Sequence, residues 1–145
     1  DLNRIIKDSL EFAKTHRTVR DCHVRLVCSG QIRMFGFPDL IQQMLFNLII
    51  NAAQATQGRG EILVQASTGN QHISLRISDN GPGIPMDKRE IIFEPFYTTK
   101  EEGTGLGMLS VQACVEAHAG EIRLADAEQG GAEFIIDLPR RVSSE

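Results

Sequence analysis

Residues Met44 to Gly58 read MLFNLIINAAQATQG, and from Leu40 to Gln57 no residue is charged. At 100° per residue, Leu40, Ile41, Met44, Leu45, Leu48, Ile49 and Ala52 share one broad face, the pattern of a helix buried along one side. Gln43, Asn47, Asn51 and Gln54 stack their amides in a narrow band beside it, with Phe46 and Ile50 on the far flank. A solvated helix face carries Lys and Glu, which form helices well and stay wet. Amides between apolar flanks must find hydrogen-bond partners, at about 1–3 kcal/mol for each that does not. Two readings are open: the partners are other groups of the protein, or the stripe is the wall of a polar cleft facing a ligand. An Asn carbonyl oxygen suits a hard cation such as Mg²⁺ where phosphates supply the negative charge.

Outward from this helix, the first sixteen residues, DLNRIIKDSLEFAKTH, predict an amphipathic helix capped by Asp1, with Leu2, Ile5, Ile6, Leu10 and Ala13 inward. CHVRLVCSG (22–30) and QIRMFGF (31–37) alternate apolar with polar residues and predict two short strands. Pro38-Asp39 opens the uncharged helix, which ends near Gly58. EILVQAS (61–67) and HISLRISD (72–79) predict a hairpin turning at Gly69-Asn70. Asn80 to about Gly107 is irregular and rich in Gly and Pro, with one helical turn expected near Lys88 to Ile92. A further helix, MLSVQACVEAHAG (108–120), is stopped by Gly120. EIRLADA (121–127) and AEFIIDLP (132–139) are the last strands, with the Gly130-Gly131 turn between them. This order predicts an α+β fold: a two-layer α/β sandwich, its mixed β-sheet carrying the helices on one face.

At 145 residues and 41% apolar content, the chain suits one cored domain, 1–145, better than two. Net charge is −4, with no Lys/Arg cluster to track a phosphate backbone, which argues against nucleic acid. No apolar run approaches a membrane span and the opening residues show no signal-peptide pattern, so direct membrane contact is not expected and a cytoplasmic setting is. Cys22, Cys28 and Cys114 lack CxxC spacing, and reduced core thiols are the expectation. His16, His23, His72 and His118 form no metal-binding pattern and read as structural or exposed.

Two glycine-rich stretches bear on the amide stripe. ISDNGPGI puts Asp79 at a strand end, followed by Gly81 and Gly83. Glycines let a flat ligand approach the backbone, and a carboxylate there can accept from an exocyclic amine, although DNGPG also makes an ordinary turn. GTGLGM sets Gly103, Gly105 and Gly107 at alternate positions directly before a helix, where backbone N–H groups form an anion-binding nest. It is neither a P-loop nor a Rossmann fingerprint. Lys100 stands three residues ahead, in reach of a terminal phosphate or simply exposed.

Taken in order, DLIQQMLFNLIINAAQA, DNGPGI, IFEPFYTTK and GTGLGM resemble the N, G1, F and G2 boxes of the catalytic and ATP-binding domain of sensor histidine kinases. These belong to the GHKL superfamily with gyrase-type, Hsp90-type and MutL-type ATPases, and NAAQA resembles the nitrogen-sensor-like branch. The resemblance covers almost the whole chain and implies ATP bound between the long helix and a lid at about 96–107. By that resemblance Asn51 coordinates Mg²⁺ and Asn47 is its phosphate-side neighbour. Asp79 reads the adenine amine, Gly81 and Gly83 make room for the base, and Ile84 packs beside it. Phe93 and Phe96 anchor the lid, which runs from Thr98; Thr99, Lys100, Gly103, Thr104, Gly105, Leu106 and Gly107 surround the phosphates. Four positions depart from the pattern. Gln54 and Ala55 replace a frequent basic residue and aromatic, Ile91 a frequent Arg, and Ala132 a Thr or Ser that gives Asp79 a hydroxyl partner.

The implied reaction is transfer of the γ-phosphate to a histidine on a separate helical hairpin of the same parent protein, with a response regulator downstream. No motif resembling His-Glu-x-x-Asn-Pro occurs, and His16 in KTHRTVR lacks the acidic neighbour. The chain therefore reads as the donor half, inactive in autophosphorylation alone. Dimerisation in this family belongs to the hairpin, so the fragment is expected to be monomeric. Three alternatives stand beside this. Gyrase-type hydrolysis needs a Glu one helical turn before the metal-binding Asn, where this chain has Asn47. An anti-sigma-factor-like serine kinase shares the fold, but IFEPFYTTK favours the histidine kinase. A nucleotide-binding module without transfer would keep the same binding residues.

Overall fold

The computed structural model describes residues 1–69, 71–89 and 107–140. Its elements in chain order are α1 (Leu2–Lys14), β1 (His23–Cys28), α2 (Pro38–Ala55), β2 (Glu61–Thr68), β3 (His72–Asp79), a 3-10 turn (Met86–Lys88), α3 (Gly107–Ala117), β4 (Glu121–Asp126) and β5 (Ala132–Pro139). The strands form one mixed sheet in the order β1-β2-β3-β5-β4, with β1 parallel to β2 and every other pair antiparallel.

Alternation along the strands sets the layers. Ile62, Val64 and Ala66 of β2, Ile73, Leu75 and Ile77 of β3, and Phe134, Ile136 and Leu138 of β5 are buried in one core with the helices. Their neighbours on the other face include the exposed Glu61 and Arg76. α2 is the spine of the helical layer, since α1, α3, β2 and β3 all pack on it. Met44, Leu45, Leu48 and Ile49 have no solvent exposure, so truncating one of them to Ala costs about 2–5 kcal/mol. Leu40, at the edge of the expected face, is only half-buried.

Three expectations need correction. Residues 31–37 form no strand. Their backbone is held elsewhere: the Ile32 N–H donates to Asn3 Oδ1 (2.6 Å), the Ile32 carbonyl accepts from the Leu2 N–H (2.9 Å), and the Phe37 N–H donates to His118 Nε2 (3.0 Å). With those groups committed to α1 and to His118, just after α3, no ladder forms. Asp1 is the N-cap of α1, but its side chain makes no capping hydrogen bond. α3 is stopped not by Gly120 but one residue earlier, where Ala119 takes φ 55°; the Ala119 and Gly120 N–H groups then donate to the carbonyls of Glu116 and Val115. The turn expected near Lys88 to Ile92 is the 3-10 turn at Met86–Lys88, and 90–92 lie outside the described residues, as does Asn70 of the hairpin turn.

All three thiols are free, Cys114 fully buried. Among the described residues no helix is long and apolar enough to cross a membrane.

Candidate functional site

α2 delivers the amide stripe to the boundary between protein and open space. Gln43 is exposed, and Asn47, Asn51 and Gln54 are half-buried. Gln43 and Asn47 line an open groove of about 630 Å³ together with Phe12, Phe46 and Ser110. Among the described residues, the first half of the stripe thus faces a groove, while Asn51, one turn on, bonds Met108 within the protein.

The start of α3 meets the two asparagines. Gly107 lies against Asn47 closely enough that a Cβ would stand 3.8 Å from its Cγ and Oδ1, ordinary van der Waals contact. The Asn51 Nδ2 is 3.3 Å from Met108 Sδ, which ties the amide to the first turn of α3. A carboxamide oxygen is neutral and hard, the donor type that Mg²⁺ accepts when phosphates complete its shell. The N–H groups of the first turn of α3 have no partners within the helix, so its start beside Asn47 favours an anion.

A second cluster surrounds Asp79, the last residue of β3, which is only 4% exposed. Its Oδ1 accepts from the Gly81 N–H (2.8 Å) and from the Ala132 N–H (3.4 Å). The second bond supplies from the backbone what a hydroxyl at 132 would supply from a side chain. Gly81 sits where a Cβ would come within 2.8 Å of the Ala55 carbonyl oxygen, and Gly83 has φ +80°. Gly131, from the β4–β5 turn, presses directly on the carboxyl and main-chain oxygens of Asp79, leaving no room for a Cβ. Ile84 is half-buried and packs on the core.

Of the residues singled out in the sequence, Asn47, Asn51 and Gly107 meet at α2 and α3, while Asp79, Gly81, Gly83 and Ile84 meet at the end of β3. Gly81, at the Ala55 carbonyl, joins the second cluster to the end of α2. Ile91, Phe93, Phe96, Thr98, Thr99, Lys100, Gly103, Thr104, Gly105 and Leu106, and with them the lid up to Gly107, lie outside the described residues. Sequence reasoning missed Gly131 and Met108. Gly130-Gly131 reads locally as a turn, and only a Gly pair where one Gly suffices hints at a second duty.

The sequence profile of the family described as histidine kinase-, DNA gyrase B- and HSP90-like ATPase matches residues 36–142. The sensor histidine kinase ZraS of Escherichia coli O157:H7 is 38% identical over 144 residues, covering 99% of this chain and 31% of the relative. The signal transduction histidine-protein kinase AtoS of Escherichia coli K12 is 45% identical over 104 residues, covering 70% of this chain and 17% of the relative. Among solved structures, a mycobacterial sensor histidine kinase, MprB, superposes with a TM-score of 0.86 at 29% identity, covering 97% of each chain. The chain thus spans about a third of the length of the curated relative ZraS.

Proposed function

The chain belongs to the family of histidine kinase-, DNA gyrase B- and HSP90-like ATPases, and from that premise we propose that it is the ATP-binding donor domain of a sensor histidine kinase. It binds Mg·ATP across the two clusters and presents the γ-phosphate to a histidine on a helical hairpin of the same parent protein, with a response regulator downstream. The observation that carries this reading is Asp79: a carboxylate almost without solvent exposure, at a strand end, with the bare backbone of Gly81 and Gly131 packed against it.

In this reading the Asp79 carboxylate accepts a hydrogen bond from the adenine amine, and Ile84 packs beside the base. The α3 amides and the Gly103–Gly107 stretch hold the phosphates, with Lys100 at the terminal one. Asn51, with Asn47 beside it, would hold Mg²⁺, which would supply positive charge against the phosphates. An imidazole nitrogen of the acceptor histidine attacks the γ-phosphorus as the bond to the β–γ bridging oxygen breaks and ADP departs; the imidazole proton leaves with a base on the acceptor side. This chain contributes position and electrostatics rather than a proton acceptor. Asn47 is an amide and cannot activate water, so hydrolysis is slow. The parent protein's membrane anchor, where it has one, lies outside these residues, and the fragment alone is a monomer.

The test is to mix the chain with ATP labelled in the γ-phosphate and its native hairpin domain. Acid-labile, base-stable label on the hairpin is the expected result. No label, with nucleotide bound, would instead mark a nucleotide-binding module that regulates without transfer.

A further inference from the structure

Arg89 occupies a place that the nucleotide-site residues do not account for. Its Nε–H donates to the Ile84 carbonyl at 3.1 Å, and a terminal nitrogen donates to the carboxylate of Asp126 at the end of β4. The arginine side chain is 17% exposed and that of Asp126 83%, so the aspartate reaches in from the surface to a guanidinium held against the fold.

The two partners belong to the two backbone segments that flank Asp79. Ile84 ends the run Gly81–Ile84, which bends away from β3 with Gly83 at φ +80°. Asp126 opens the β4–β5 turn, which returns Gly131 onto the Asp79 oxygens and brings Gln129 Nε2 to the Ser78 hydroxyl at 3.4 Å. At their inner ends the segments nearly touch, since a Cβ on Gly83 would stand 3.7 Å from the Gly131 carbonyl oxygen. At their outer ends one guanidinium spans them. An ion pair with so exposed a partner adds little to fold stability. A planar fork with fixed donor directions does, however, set the separation and tilt of the groups it joins.

We propose that Arg89 is a positioning residue for base recognition: it fixes the spacing of the Gly81–Ile84 run and the β4–β5 turn on either side of Asp79, the carboxylate that reads the purine amine, and Asp126 acts only through it. The inference rests on the reading that the Asp79 pocket takes adenine. It differs from that reading in locating base selectivity partly in a residue that does not touch the base.

Calorimetric titration of ADP and of GDP into the wild-type chain, Arg89→Ala, Arg89→Lys, Asp126→Ala and the double alanine variant tests it. Loss of a charge-assisted clamp is expected to weaken ADP binding about tenfold in Arg89→Ala. The exposed partner matters less, at about threefold in Asp126→Ala. Asp126→Ala is expected to add nothing in the Arg89→Ala background, because both substitutions break one device. The preference for ADP over GDP should shrink in Arg89→Ala and recover in part with Lys, which keeps the charge but not the fork. General loosening would instead weaken both nucleotides equally and leave their ratio intact, and that result overturns the proposal. So do wild-type affinity and preference in Arg89→Ala, or additive losses in the double variant. Asp126 lies on the surface, so its variant stays folded and the test does not depend on the arginine variants alone. Failure of the wild-type chain to bind ADP overturns the adenine reading and this proposal together; binding that is indifferent to residue 89 overturns this proposal only.

Discussion

Gly131 rests directly on Asp79, with no space for a Cβ between it and the carboxyl and main-chain oxygens of that residue. A buried carboxylate is thereby backed by bare peptide, and the next residue of that segment, Ala132, donates its N–H to Oδ1.

Gly131→Ala must push the β4–β5 turn off β3, because its Cβ meets the main chain of Asp79 as well as the carboxyl. We expect a loss of about 1–3 kcal/mol in urea unfolding together with loss of nucleotide binding. Gly130→Ala is the control. Its Cβ enters open space and only the φ of +104° resists it, so about 1 kcal/mol is lost and binding persists. Equal effects of the two substitutions on binding would contradict the contact.

Asn51 carries a different expectation. Chelating divalent cations should weaken ATP binding by the wild-type chain at least about tenfold. Asn51→Ala should bind ATP as weakly with Mg²⁺ as the wild type does without it, and should lose its response to chelator. A variant that still responds fully to Mg²⁺ would move the cation elsewhere.

The helix ends predict stabilising changes. Ala119 takes φ 55° and Gln57 φ 59°, both in the left-handed position that closes a helix. Ala119→Gly and Gln57→Gly should each gain up to about 1 kcal/mol, read as a higher urea midpoint at unchanged slope. A loss at both sites would show that those closures are not strained.

Burial pushes the Cys114 thiol up to about 11. At pH 8 its thiolate is about a hundredfold scarcer than that of an ordinary thiol, so alkylation should reach Cys22 first and Cys114 only through unfolding. The sign for stability follows from linkage. The folded state holds this proton more tightly, so the contribution is complete below the ordinary thiol range and is lost as pH rises through about 11. The stability difference between wild type and Cys114→Ala should shrink over that window; a pH-independent difference would refute it.

What was legible in the sequence follows the range of the interactions. α2 was legible because its apolar period and its lack of charge are local, and so were the two hairpins, whose alternation and glycine turns are local too. Residues 31–37 alternate just as a strand does, yet Asn3, Leu2 and His118 take their backbone groups, and those partners lie far off in sequence. Gly120 was a reasonable helix stop because Gly tolerates positive φ. Instead it is required by close approach to the Asp137 carbonyl, while Ala119 takes the turn. At the site, the asparagines and Asp79 were legible from residue type and spacing. Gly131 and the Arg89–Asp126 pair were not, because they act across 52 and 37 positions of chain that only the sheet brings together.

The most direct measurement is calorimetric titration of ADP and ATP, with Mg²⁺, into the wild-type chain and Asp79→Asn. The account predicts saturable heat with micromolar affinity for the wild type, and a loss of at least about tenfold for Asp79→Asn, whose amide can turn a donor toward the adenine amine. No heat from the wild-type chain, or equal affinities in the two proteins, would contradict it.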